Sequence, residues 1–147
     1  MADLSWDDQG DRAMVGIEPL RFLIGEWSGS GICHGEPVQG KMTVRGLMDG
    51  SWLEATETLL DASGEVIHTD MTLYRFDVQN ESLVALQLFE RATLTTSTVE
   101  LLEAGFRWIT GPGAPQLRYW TEDLGFRYGV TMPDEAAPAI EMTYRRA

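Results

Sequence analysis

Trp52-Leu53-Glu54-Ala55-Thr56-Glu57-Thr58-Leu59-Leu60 leads through Asp61-Ala62-Ser63-Gly64 into Val66-Ile67-His68-Thr69-Asp70-Met71-Thr72-Leu73-Tyr74-Arg75-Phe76. Both runs are rich in β-branched and aromatic residues, and neither spaces its apolar residues at a helical period. The connection consists of residues that start turns or accept positive φ. So short a link leaves only antiparallel pairing, because a parallel partner needs a crossover of a dozen residues or more. The stretch therefore reads as a β-hairpin.

The same pattern repeats outward in both directions. Further strands are expected over Glu26 to Cys33, Lys41 to Met48, Leu83 to Glu90, Thr93 to Leu102, Phe106 to Thr110, Leu117 to Glu122, Phe126 to Met132 and Ile140 to Arg145. Asp49-Gly50, Asn80-Glu81, Glu103-Ala104-Gly105, Gly111-Pro112-Gly113 and Asp123-Leu124-Gly125 punctuate them. Before the first strand, Ile17 to Leu23 reads as a short helix, with Pro19 at an early position and Gly25 at the stop. About ten strands in hairpin order form either a sandwich or a closed barrel, and closure is the better expectation because it removes exposed edges. The fold expected is all-β: an up-and-down antiparallel barrel over residues 17–147 behind a polar tail over residues 1–16.

A chain of 147 residues supports one core of this kind. Its formal charge of −12 repels phosphates, which argues against nucleic acid and anionic membrane as partners. No apolar run approaches the roughly 18 residues that span a bilayer, and the expected location is the cytoplasm. The arginines, including Arg45, Arg75, Arg107, Arg118 and Arg127, are scattered along strands, as expected of outward residues paired with acids. Cys33 is the only cysteine and reads as a small, buried or half-buried residue. His34 and His68 are the only histidines and lack close ligand spacing, so no metal site is expected.

Leu23-Ile24-Gly25-Glu26-Trp27-Ser28-Gly29-Ser30-Gly31 resembles the short helix and Gly-x-Trp-x-Gly-x-Gly strand that open nitrobindin-type members of the lipocalin-like (calycin) barrels. Gly64-Glu65-Val66-Ile67-His68-Thr69-Asp70 is similar to the same family's Gly-x-x-x-His-x-Glu strand. The resemblance implies a tryptophan, Trp27, stacked beneath Arg145 or Arg146 of the last strand, with nearby glycines bending the backbone. It also implies heme held by a histidine on the final strand. Ala139 stands at that position here and offers iron no donor, so the fold is carried over and heme is not.

Alternation places His68, Asp70, Thr72, Tyr74 and Phe76 on one face, and Trp52, Glu54, Thr56 and Thr58 on one face of the preceding strand. If these faces coincide inside the barrel, His68 with Glu54 or Asp70 forms an acid/base group; if they face solvent, they are ordinary surface pairs. Trp52, Tyr74, Trp108, Tyr119, Tyr128 and Met142 are the expected wall of a ligand pocket, although such residues equally fill a small barrel. The leading expectation is a binding protein for a small hydrophobic or aromatic molecule. A cofactor-free isomerase or cyclase using His68, and a heme protein with unusual ligation, are the alternatives. A homodimer is compatible with the acidic barrel surface.

Overall fold

A computed structural model describes residues 16–89 and 93–147. Most of the expected tail lies outside the described residues; Gly16, its last member, abuts the ring of Phe76. A 3-10 helix over Glu18–Leu23 precedes ten strands: β1 (Gly25–Cys33), β2 (Glu36–Leu47), β3 (Trp52–Leu60), β4 (Val66–Asp77), β5 (Ser82–Phe89), β6 (Thr93–Leu102), β7 (Gly105–Ile109), β8 (Gln116–Glu122), β9 (Gly125–Thr131) and β10 (Ile140–Arg146). Each strand pairs antiparallel with its sequence neighbour, and β10 returns to β1 to close the barrel. The strand boundaries follow the alternation closely. β2 differs most, starting five residues before the expected Lys41, because Val38 and Gly40 continue its inward row despite Pro37.

One end of the barrel is plugged. Ile17, Leu20 and Leu23, in and beside the short helix, are completely or almost completely buried, and the Trp27 indole N–H donates to the Leu23 carbonyl at 2.7 Å. The Arg146 guanidinium lies 4.0 Å from the Trp27 ring centre and donates to the Ile24 carbonyl at 2.6 Å. This stacked cation fastens the last strand to the first and to the plug. Gly25, at φ 140°, leaves the guanidinium its space; any side chain there would collide with it. Replacing Arg146 with methionine keeps the length but removes both interactions. It is expected to cost about 1–2 kcal/mol, a loss of a few degrees in the thermal midpoint measured by circular dichroism.

Two of the strand glycines make room for a side chain. Gly29 and Gly40 lie opposite each other on β1 and β2, and a Cβ on either would strike the Tyr144 side chain. Two glycines thus make a hollow that a tyrosine from β10 fills. Tyr144 then joins a set of inward rings: Phe126 at 5.2 Å, Tyr119 against Phe126 at 5.6 Å, and Phe106 stacked on Tyr119 at 4.5 Å. Outside, the arginines meet acids or rings, with Arg45 to Glu54 at 2.9 Å, Arg107 to Glu100 at 3.0 Å and Arg127 4.4 Å from the Trp120 ring centre.

Candidate functional site

The end opposite the helix holds a cavity of about 280 Å³. Its wall comes from Ala55 and Glu57 on β3, His68, Asp70 and Thr72 on β4, Gln87 and Phe89 on β5, and the rings of Trp108, Tyr119 and Tyr128 from β7, β8 and β9. Ala114 and Pro115, in the loop between β7 and β8, form part of its rim. The strands that supply the polar groups are adjacent, so the cavity has a polar side on β3 and β4 and a largely aromatic side across from it.

The polar side is one connected group. His68 Nε2 lies 2.6 Å from Asp70 Oδ2, and Asp70 pairs directly with Glu57 across the β3–β4 ladder. Residues directly opposite in a ladder project to the same face, which brings the two carboxylates together. Tyr128 donates its hydroxyl to both Glu57 oxygens at 2.7 Å, and Tyr144 donates to Oε2 at 2.6 Å. Glu57 is only 4% exposed. Burial, and secondarily the Asp70 charge, push its carboxyl up to about 7, although both tyrosine hydrogen bonds and the His68 charge act the other way. Burial and the same Glu57 charge raise Tyr128 and Tyr144, keeping their hydroxyls protonated donors.

Glu54 is not part of this group. It points outward and pairs with Arg45, while Glu57 occupies the inward place. The reason is one residue. Leu60 pairs with Val66 but Leu59 pairs with His68, leaving Ile67 as the extra residue of a bulge. Had the Leu60–Val66 register continued, Glu54 would have paired with Thr72; the bulge shifts the pairing by one, so that the His68, Asp70 and Thr72 row of β4 shares its face with the Leu53, Ala55, Glu57 and Leu59 row of β3. Trp52 shares the outward row of Glu54, where its ring lies 5.8 Å from the Arg75 guanidinium.

The other expected wall residues divide. Trp108, Tyr119 and Tyr128 line the cavity, whereas Tyr74 and Met142 are buried inside the barrel but off its wall. The Tyr74 and Trp108 rings are buried and meet edge to face at 6.1 Å. Ala139 is buried just before β10, where its carbonyl accepts the His34 N–H at 2.7 Å. Glu57 was missed from sequence, yet a signal existed: in the alternating set Leu53, Ala55, Glu57 and Leu59 it is the one acid among apolar residues. Such a position is either an outward mismatch or a buried carboxylate with partners.

This arrangement can hold an apolar body against rings while presenting carboxylate and imidazole groups to one end of it. Compared with known proteins, the chain matches no family model and no curated protein sequence.

Proposed function

We propose that the protein is a small-molecule binding module of the lipocalin-like type, taking a compact, largely apolar ligand into the mouth of the barrel. The observation that carries this reading is the cavity itself, walled by strands and lined by the aromatic rings of Phe89, Trp108, Tyr119 and Tyr128. Its volume lies just under the roughly 300–1,000 Å³ of ordinary ligand sites, which favours a ligand much smaller than a porphyrin. Kinship with nitrobindin-type barrels belongs to the same proposal. The stacked pair of Trp27 and Arg146 and the short helix before β1 support it.

The test is direct titration of small aromatic compounds, beginning with phenethyl alcohol, followed by calorimetry. Ala55 lines the cavity, so Ala55→Phe fills the space a ligand would use. The variant is expected to keep the wild-type circular dichroism spectrum and to bind at least about tenfold more weakly, the loss of roughly 1.4 kcal/mol. Wild-type protein that takes up no member of a broad aromatic panel, or Ala55→Phe protein that binds equally well, would overturn the proposal.

A second reading, a cofactor-free isomerase or cyclase, is favoured by the 2.6 Å contact of His68 and Asp70 beside Glu57. In it Glu57 takes the place first expected of Glu54. A carboxylate held on imidazole and a carboxyl that titrates near neutrality are the parts acid/base catalysis uses. Turnover abolished by His68→Gln with ligand affinity retained is the result that would separate it from simple binding.

A further inference from the structure

We propose that the ligand is a small organic amine bound as its ammonium, its charged head on Glu57 and Asp70 and its apolar body against Trp108, Tyr119 and Tyr128. This rests on the binding reading above and adds the chemical class.

Among the described residues the cavity wall carries two carboxylates, Glu57 and Asp70, and one basic side chain, His68, with no lysine or arginine beside them. An anionic ligand would add a third negative charge to a confined, poorly solvated space, and a neutral one would leave the carboxylates without a new partner. An ammonium brings three donors and no acceptor. The cavity wall offers acceptors for them: two carboxylates, the Gln87 carbonyl and the hydroxyl oxygens of Thr72 and Thr95. Tyr128 and Tyr144 fix the Glu57 oxygens through hydroxyls that donate to them, so the carboxylate is oriented before any ligand arrives. The opposite wall is aromatic, and ring faces attract cations. Over the whole chain the formal charge of −12 favours the approach of cations over anions.

A divalent metal ion is the rival occupant, since ligand atoms of Glu57, His68 and Asp70 lie within 4.8 Å of one another. One feature favours the amine: an ion on the polar side would leave the aromatic part of the cavity unfilled.

Three nearly isosteric probes decide it: phenethylamine, phenethyl alcohol and hydrocinnamate, titrated by calorimetry at about pH 8, above the Glu57 transition. The amine is expected to bind tenfold or more tighter than the alcohol, as charged hydrogen bonds warrant, with no detectable binding of the carboxylate. Glu57→Gln should bring the amine down to the alcohol's affinity and leave the alcohol unchanged. Asp70→Asn supplies the same comparison if Glu57→Gln does not fold, and outward Glu54→Gln should leave the preference intact. Equal binding of amine and alcohol overturns the inference while the binding module stands. An amine preference that survives both inward substitutions, or stoichiometric zinc binding without any amine preference, also overturns it. Failure of all three probes to bind counts against the binding reading itself.

Discussion

Glu57→Gln is expected to abolish a fall in stability of roughly 3 kcal/mol that the wild-type protein shows between about pH 5 and pH 8. The Glu57 carboxyl titrates at about 7 in the folded chain against 4.5 for the ordinary group. Between those values the folded state keeps a proton that the unfolded state has released, so unfolding is favoured progressively as pH rises. The contribution is therefore present in full below 4.5 and lost as pH passes through about 7. At about 1.4 kcal/mol per pH unit, that separation gives the stated magnitude. Urea unfolding of wild type and variant across this window measures it, and their difference cancels the carboxylates remote from Glu57. Parallel pH profiles would show that Glu57 is not held neutral by its surroundings. The cause is geometric: burial against rings comes first, and the Asp70 charge across the ladder adds to it.

Phe126→Ala should be the most damaging single truncation of the barrel, at about 3–5 kcal/mol. Phe126 is completely buried. It meets Trp27 edge-on at 4.9 Å, stacks on Tyr144 at 5.2 Å and lies 5.6 Å from Tyr119. Its ring thus joins the plugged end to the tyrosines beneath the cavity. Strands closed into a barrel cannot slide together to fill the hole, because each is hydrogen-bonded on both sides. At roughly 2–4 °C per kcal/mol for a chain of this size, the thermal midpoint should fall by about 10 °C or more. Leu124, in the adjoining turn and 69% exposed, is the control, and Leu124→Ala should change stability by no more than about 0.5 kcal/mol. A midpoint shift of only a degree or two in Phe126→Ala would show that the rings are not a continuous core.

The two ends of the barrel differ in how far they could be read. At the plugged end the short helix with Pro19 is a local signal. The stacking of Trp27 with Arg145 or Arg146 was implied by the resemblance to nitrobindin-type barrels, and the register makes the choice by placing Arg146 opposite Trp27. At the open end, alternation along β4 correctly grouped His68, Asp70, Thr72 and Tyr74, since faces within one strand depend on nothing outside it. It could not say which face of β3 they share.

The sequence by itself determined the all-β class, the strand order and the hairpin connections, because period-two alternation and turn residues are local properties that short links convert directly into neighbour pairing. Only the tertiary structure decided which carboxylate stands beside His68. That choice depends on the register between β3 and β4, and the bulge at Ile67 moves it by one residue, so that the His68 row shares its face with Glu57 rather than with Glu54. A period of two makes strands easy to recognise and makes their faces exchange at a single-residue step.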